Sequence, residues 1–286
     1  MGVVNVTPDS FSDGGRFLDP LRAVEAGAQM AQDGADLIDV GGESTRPGAE
    51  PIDEREERNR VVPVIEALAT RVGVPISIDT YRASTAAAAL TAGAALVNDI
   101  SGSRYDPDLA RVVAEYRAAI VLTHTRGRSR DMYQQASYHD VIAEVLDELR
   151  ESVAFATSAG IASDGIIVDP GLGFAKDARH SYEVLARLDA FAELGRPLLV
   201  GPSRKSFLVR GAGSSARAAS QPVDVARPAG AAIDPVVRPA ERDWATAAAV
   251  TAAVLAGAHI VRVHAVREMV QVVRVADEIR RYHAGT

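Results

Sequence analysis

The chain has 286 residues, of which 47% are hydrophobic and 24% are charged, and its formal net charge is −7. This composition is typical of a soluble globular protein, and the negative charge gives no electrostatic support to nucleic-acid binding. The absence of cysteine excludes disulfide bonds and thiolate metal sites.

Strand-like and helix-like segments alternate along the chain. Short apolar runs predict strands at residues 2–5, 36–40, 74–78, 95–97, 118–122, 165–168, 197–200 and 260–263. Helical spacing of apolar residues predicts helices at 21–34, 53–71, 83–92, 107–116, 139–159, 181–194, 243–256 and 266–281. Periodicity alone also allows an open doubly wound sheet, but about eight βα units favour a single-domain α/β protein, a (β/α)8 TIM barrel, over residues 1–286.

One segment departs from this alternation. Residues 209–240 are rich in Gly, Ala, Ser and Pro and show neither a helical nor an alternating pattern. We interpret them as a flexible insertion in the loop after the seventh strand, and a tolerated surface excursion is an equal alternative.

The sequence also predicts where the protein is located. No charged lead or cleavage pattern opens the chain, so we expect no signal peptide. The most apolar stretch, residues 245–258, is short and alanine-rich, which indicates a buried helix rather than a membrane span. These features predict a cytoplasmic protein with no membrane partner.

Basic side chains follow several of the predicted strands. They are Arg46, Arg204, Lys205, Arg262 and His264. Because the loops after barrel strands meet at one face, these side chains are expected to converge there and to bind a phosphate-like anion. Asn5 and Asp9 offer oxygen ligands for Mg²⁺, which prefers a few protein oxygens together with substrate phosphates.

Acidic and amide side chains follow other strands. Asp79, Asn98 and Asp169 suit a flat heterocycle rich in N–H donors, because a carboxylate accepts two parallel hydrogen bonds. Phe174 offers an apolar wall beside them.

Each of these residues has another interpretation. Asp79 and Asp169 could be helix N-caps. Arg262 could be a structural ion-pair partner, His264 a histidine satisfied near the rim, and Lys205 the Schiff-base lysine of a barrel aldolase.

Five segments carry a resemblance to a known family. They are residues 1–15, with the run Asn-Val-Thr-Pro-Asp-Ser-Phe, 41–48 (Gly-Gly-Glu-Ser-Thr-Arg-Pro-Gly), 169–174 with Lys176, 203–207 and 262–264. These segments closely resemble the motifs of the dihydropteroate synthase family, and the likeness extends along the chain except for residues 209–240. The resemblance implies a barrel transferase of folate biosynthesis. Such an enzyme joins 6-hydroxymethyl-7,8-dihydropterin pyrophosphate to para-aminobenzoate and releases dihydropteroate and pyrophosphate.

The resemblance implies a role for each candidate residue. The implied pterin pocket contains Asp79, Asn98, Asp169 and Lys205, with Arg262 against the ring face. The implied pyrophosphate site contains Asn5, Arg46, Arg262 and His264, with Mg²⁺ held near Asn5. The implied para-aminobenzoate site, where sulfonamides compete, contains Thr45, Pro47, Phe174, Lys205 and Ser206. The implied catalytic residues are Asp9, Lys205, Arg262 and His264, and a homodimer through the C-terminal helices is expected.

The chain departs from the family's usual pattern at a few positions. Ala265 stands where Asp is usual, Ala245 where Gly is usual, and Thr125 and Arg126 where Met and Gln are common. The last two are expected to alter the wall of the pterin pocket. Three rivals to the synthase remain: a pterin-binding protein without catalysis, a methyltransferase that uses a methylated folate, and a Schiff-base aldolase. The combined anion-binding loops argue against the methyltransferase.

Overall fold

The strands form a closed ring. The computed structural model describes residues 1–7, 20–44, 49–210 and 239–283. The strands within these residues are β1 Gly2–Asn5, β2 Ile38–Gly41, β3 Ile76–Asp79, β4 Leu96–Asp99, β5 Ala119–Thr123, β6 Ile166–Asp169, β7 Leu199–Val200 and β8 Ile260–Val261. Strands β1 to β6 pair in chain order and β7 pairs with β8, all in parallel. Parallel bridges from Val168 to Leu198 and from Gly2 to Val263 join the two groups on both sides. The predicted (β/α)8 barrel is therefore confirmed.

Helices follow the strands and cover the outside of the ring. The α-helices are α1 Pro20–Gln32, α2 Glu54–Arg71, α3 Ala83–Thr91, α4 Leu109–Glu115, α5 Val141–Ser158, α6 Ala178–Ala186, α7 Phe207–Arg210, α8 Asp243–Leu255 and α9 Val266–His283. Short 3-10 helices lie at Met132–Gln135, Ser163–Gly165, Leu188–Leu194 and Pro239–Arg242. The helix predicted over 181–194 is thus two elements. The first begins early because the Asp177 carboxylate accepts from the His180 N–H at 2.8 Å and caps α6.

The main apolar core lies between the ring and its helices. Ile78 of β3 and the α2 residues Ile65 and Leu68 are fully buried in one cluster. Asp53 caps α2 by accepting from the Glu56 N–H at 2.8 Å, which fixes where this helix starts, and the spacing of its apolar residues decides which face it turns inward. None of the helices in the described ranges is both long enough and apolar enough to cross a membrane.

The interior of the ring is filled by a second, smaller apolar layer. Met1, which precedes β1, forms one buried cluster with Leu96 of β4, Val121 of β5 and Leu199 of β7. The amino group of Met1 donates to the Val261 carbonyl at 2.9 Å, which helps to close the ring between β1 and β8. The inside of the barrel is therefore packed with apolar side chains, and polar side chains lie towards the carboxyl ends of the strands.

Several predicted features lie outside the described residues. They are Asp9, Thr45, Arg46, Pro47 and residues 211–238, which make up most of the predicted insertion. At the ends of that insertion, Val209 lies in α7 and Pro239 begins a 3-10 helix.

Candidate active site

The carboxyl ends of β1 to β4 place polar side chains side by side. Asn5 is in register with Gly41, Gly41 with Asp79, and Asp79 with Asn98. Asp169 ends β6, which runs beside β5. Asp79, Asn98 and Asp169 are buried, and Asn5 is half-buried. The sequence thus correctly placed these four residues at strand ends, and the closed ring turns them towards one mouth.

Arg262, which follows β8, links these strands across the barrel. Its Nε donates to Asp39 Oδ2 at 2.6 Å and its Nη2 donates to Asp79 Oδ2 at 2.8 Å. Asn98 Nδ2 also donates to Asp39 Oδ2, at 3.0 Å. The ion-pair interpretation of Arg262 is therefore correct, but both of its partners lie inside the candidate site.

Asp39 is a functional candidate that the sequence reasoning missed. It is in register with Ser77, two residues before Asp79, so it lies one layer deeper in the barrel. Its side chain is fully buried, and its Oδ1 has no hydrogen-bond partner among the described residues. A charged residue within the apolar run of residues 37–40 was the signal, because a strand buried on both faces carries charge only with a partner.

Burial makes the carboxyl groups of this site less acidic than usual. Desolvation raises the pKa of Asp79, the Arg262 guanidinium opposes this change, and the neighbouring Asp39 adds to it. Desolvation likewise raises the pKa of Asp169, against the opposing effect of Lys205 and of the Gly171 N–H. Burial therefore outweighs the donors that both carboxylates already have, and a ligand that brings further N–H groups would stabilise both of them.

A tight turn follows Asp169. The Gly171 N–H donates to Asp169 Oδ1 at 2.7 Å, and Gly171 has a φ of +71°. A Cβ at Gly171 would lie 2.0 Å from the His124 carbonyl oxygen, so only glycine fits here. The turn brings the Leu172 carbonyl and the Phe174 ring to Lys205.

Lys205 closes the site on the β7 side. Its Nζ donates to the Leu172 carbonyl and lies 4.0 Å from the centroid of the Phe174 ring. Burial lowers the pKa of Lys205 to about 8, while Asp169 acts in the opposite direction. Ser206 is half-buried and lies next to Lys205, just before α7. Lys205 is therefore held between an apolar ring and the strand-end carboxylate of Asp169.

His264 lies beyond Arg262 at the rim. Its Nδ1 is 2.9 Å from Ser203 Oγ, which also accepts from the His264 backbone N–H at 3.2 Å. This pairing joins the loops after β7 and β8 and fixes the orientation of the imidazole.

Arg204 is not part of the anion-binding group that the sequence predicted. Its Nε and Nη2 each donate to the Asp243 carboxylate at 2.8 Å, and its backbone N–H donates to Thr246 Oγ1 at 3.1 Å. Its φ is +59°. A bidentate ion pair of this kind anchors α8, so the role of Arg204 is structural.

Arg126 likewise does not enter the pterin wall as expected. It pairs with Glu144 at 2.8 Å and with Glu148, and its guanidinium carbon lies 4.1 Å from the centroid of the Tyr138 ring. These contacts turn it onto α5 and away from the mouth.

The alternative that Asp79 and Asp169 are helix caps is wrong. Helix α3 begins at Ala83 after Arg82, and α6 is capped by Asp177. Both aspartates end strands instead, and their side chains are engaged within the site.

The residues at the mouth suit a divalent cation that brings its own phosphate ligands. The described residues contain no cluster of three His, Cys, Asp or Glu side chains able to hold a metal. Mg²⁺ bound mainly by phosphate oxygens and water needs only one or two protein oxygens. The half-buried Asn5 side chain, for which no hydrogen bond is found among the described residues, can supply one.

Comparison with known proteins agrees with this geometry. The family described as pterin binding enzyme matches residues 1–264. The chain belongs to this family. It is 46% identical over 287 residues to the dihydropteroate synthase of Mycobacterium leprae, covering 100% of this chain and 94% of that protein.

Solved structures of pterin-binding enzymes are similar to this one. The Yersinia pestis dihydropteroate synthase in complex with a sulfonamide drug has a TM-score of 0.83 and 36% identity, covering 98% of this chain and 93% of that chain. The Xanthomonas albilineans dihydropteroate synthase in complex with 7,8-dihydropteroate has a TM-score of 0.79 and 34% identity, covering 98% and 92%.

Proposed function

We propose that this pterin-binding enzyme is a dihydropteroate synthase, a transferase that joins 6-hydroxymethyl-7,8-dihydropterin pyrophosphate to para-aminobenzoate. The observation that carries the proposal is the Arg262 guanidinium held between Asp39 and Asp79 at the strand ends. This arrangement places the N–H donors of Arg262, which suit an anion, directly beside carboxylate acceptors, which suit a heterocycle. The near full-length likeness to dihydropteroate synthases supports the same reaction.

The carboxyl ends of the strands bind the pterin. Asp79, Asn98 and Asp169 present two carboxylates and an amide to the N–H edge of the ring. Arg262 lies against the ring face, and Lys205 donates to an acceptor on the ring. Because burial outweighs the donors that Arg262 and Gly171 already supply to these two carboxylates, further hydrogen bonds from the pterin relieve the cost of their burial.

The rim binds the pyrophosphate. Asn5, Arg46, Arg262 and His264 form this site, with Asn5 as a ligand of Mg²⁺. The metal, when bound, neutralises charge on the leaving pyrophosphate. The arginine and histidine side chains orient the anion and stabilise it as it departs.

The arylamine binds between the loops and α7. Thr45, Pro47, Phe174, Lys205 and Ser206 form this site, where a sulfonamide competes with para-aminobenzoate. The C–O bond to pyrophosphate breaks first and leaves a cationic pterin methylene, and the amine nitrogen then forms the new C–N bond. Asp9 stabilises the cation or accepts the proton that the nitrogen loses. The protein therefore acts by positioning two substrates and stabilising opposite charges, with no nucleophile of its own.

The protein acts in the cytoplasm as a homodimer through its C-terminal helices. Large apolar side chains are exposed on α8 and α9, namely Trp244, Leu255, Val275, Ile279 and Tyr282. Arg280 Nη1 donates to the Val254 carbonyl at 3.4 Å, so the carboxyl ends of the two helices lie together. A second copy would remove this apolar surface from water. Sedimentation of the wild type and of Val275→Glu tests this: a dimer that the substitution dissociates supports it, and a monomeric wild type contradicts it.

The reaction is tested by incubating the purified protein with both substrates and Mg²⁺ and measuring dihydropteroate. Formation of product that depends on both substrates and is lost with a chelator supports the proposal. Pterin binding without product would indicate a non-catalytic pterin-binding protein. Covalent trapping of Lys205 by borohydride with substrate would instead indicate a Schiff-base enzyme.

A further inference from the structure

Lys176 is a lysine buried in the protein that no step of the proposed reaction uses. Its side chain is 1% exposed. Its Nζ lies 2.7 Å from His124 Nδ1 and donates to the Phe174 carbonyl at 3.2 Å. A buried amine with two acceptors at these distances fixes both of them relative to each other.

The hydrogen bonds of His124 define which of its nitrogens carries the proton. His124 Nε2 lies 3.2 Å from Glu148 Oε2, and Arg104 Nη1 donates to the same oxygen at 2.8 Å. An ionised carboxylate only accepts hydrogen bonds, so Nε2 must donate to Glu148. In a neutral imidazole Nδ1 is then the acceptor, and Lys176 must donate to it.

The electrostatics of the buried groups agree with this assignment. Burial and the nearby Lys176 lower the pKa of His124 to about 3, so the imidazole is neutral. Burial opposes ionisation of Glu148, but hydrogen bonds from His124, Arg126 and Arg104 outweigh it and lower its pKa below the usual value. Burial lowers the pKa of Lys176 well below its usual value. The resulting chain runs from the Glu148 carboxylate through the His124 ring and the Lys176 amine to the Phe174 carbonyl.

We propose that the chain Glu148–His124–Lys176 holds the turn of residues 171–174 in its substrate-binding conformation. Lys176 is then a positioning residue for the arylamine site. It acts through the turn, because the same turn presents the Phe174 ring and the Leu172 carbonyl to Lys205. The kinetic effects that this inference predicts rest on the proposed reaction, whereas the structural effects that it predicts do not.

The turn needs such an anchor because its backbone is unusual. Gly171 and Gly173 have φ values of +71° and +75°, and Ala175 has a φ of +46°. A non-glycine residue in the left-handed region costs free energy and persists only where its surroundings hold it. Tyr138 adds a second hold by donating from its hydroxyl to the Ala175 carbonyl at 2.9 Å. Of the hydrogen bonds from Tyr138 and Lys176, only the one from Lys176 is accepted by the Phe174 carbonyl itself.

The test is Lys176→Met, which keeps the length of the side chain and removes its donors. Because the turn makes ground-state contacts with the arylamine, KM for para-aminobenzoate should rise on the order of tenfold while kcat changes less than about threefold. The matched control is Tyr182→Phe, which removes a 3.3 Å hydrogen bond to the Leu208 carbonyl in α7, and Tyr182 makes no hydrogen bond to Glu148, His124 or Lys176. We expect its kinetic constants to equal those of the wild type.

A second readout does not depend on turnover. NMR of the labelled lysine side chains gives the pKa of Lys205, which should shift in Lys176→Met and stay unchanged in Tyr182→Phe. Should Lys176→Met fail to fold, Glu148→Gln weakens the hold on His124 and should move KM and the Lys205 pKa in the same directions by smaller amounts.

The outcomes separate this inference from the proposed reaction. An inactive wild type refutes the reaction, and the Lys205 pKa then decides the inference alone. A folded Lys176→Met protein with wild-type KM and an unshifted Lys205 pKa overturns the inference, even if its thermal stability has fallen. A folded Glu148→Gln protein unchanged in both readouts also overturns it.

Discussion

The 2.8 Å ion pair between Arg262 and Asp79 joins residues 183 positions apart in the chain and connects the last strand of the barrel to the third. The cation is also bonded to the fully buried Asp39. One guanidinium therefore compensates two carboxylates and faces the mouth where an anion is expected to leave. Its removal should affect both the chemistry and the fold.

Arg262→Met should lower kcat/KM by about a thousandfold or more, because the anion loses a preorganised donor at the point where its charge develops. It should also cost about 3–5 kcal/mol in the free energy of unfolding, because Asp39 and Asp79 lose their partner. Steady-state kinetics and urea denaturation measure the two effects. The matched control is Arg204→Met, which breaks the Asp243 pair and should leave kcat/KM within about tenfold. Equal loss of activity in both variants would contradict the assigned roles.

Asp79→Asn should weaken pterin binding on the order of a hundredfold, because a neutral amide replaces a charged acceptor. The unfolding free energy should change by only about 1 kcal/mol, since the amide oxygen still accepts from Arg262 and the crowding of Asp79 against Asp39 is relieved. Calorimetric titration with a pterin and urea denaturation are the measurements. Unchanged affinity would remove Asp79 from the pterin site.

The lowered pKa of Lys205 predicts that activity is lost at alkaline pH. Burial lowers its pKa to about 8, so kcat/KM should fall as the pH rises through that value if the ammonium is the form that binds substrates. Lys205→Arg should move this limit beyond the measured range. A pH–rate profile without an alkaline limb near pH 8 in the wild type would contradict the assignment.

The same shift has a stability consequence of opposite sign. An unfolded lysine keeps its proton up to about pH 10.4, so between pH 8 and that value the unfolded chain binds more protons than the folded one. The unfolding free energy of the wild type relative to Lys205→Met should therefore rise with pH across this window. If activity falls in this pH window while the unfolding free energy relative to Lys205→Met does not, then the loss of activity comes from deprotonation of Lys205 and not from denaturation.

Gly171→Ala should unfold or severely destabilise the protein. The new Cβ would meet the His124 carbonyl at 2.0 Å, and the φ of +71° is strained for any side chain, so we expect a loss above about 3 kcal/mol. The control is Gly195→Ala, at a φ of +60° with no atom within 4 Å of the added Cβ, where about 1 kcal/mol is expected. Urea denaturation of both variants measures the difference. Equal losses would show that the turn tolerates a side chain.

The barrel could be predicted from the sequence because its strands and helices carry clear local signals. Runs of apolar residues gave the strands to within about two residues, and strand ends placed Asp79, Asn98 and Asp169 correctly. The partners of these residues could not be predicted, because pairing depends on which side chains face each other across the closed ring. Asp39 was missed within an apolar run, and Arg204 was assigned to the anion although it pairs with Asp243.

The buried chain through Lys176 shows the same limit. In the sequence, His124 is 24 positions from Glu148 and 52 positions from Lys176, and no local pattern marks the three as neighbours. Arg126 was expected to face the pterin because of its place after β5, yet the carboxylates of α5 attract it away from the mouth.

The most direct test of the proposed reaction measures pyrophosphate release and dihydropteroate formation in the same sample, with Mg²⁺ and the pterin pyrophosphate, with and without para-aminobenzoate. We expect one pyrophosphate for each dihydropteroate, dependence on the arylamine, and loss of both products in Arg262→Met. A wild-type protein that binds the pterin but releases no pyrophosphate and forms no dihydropteroate would contradict it.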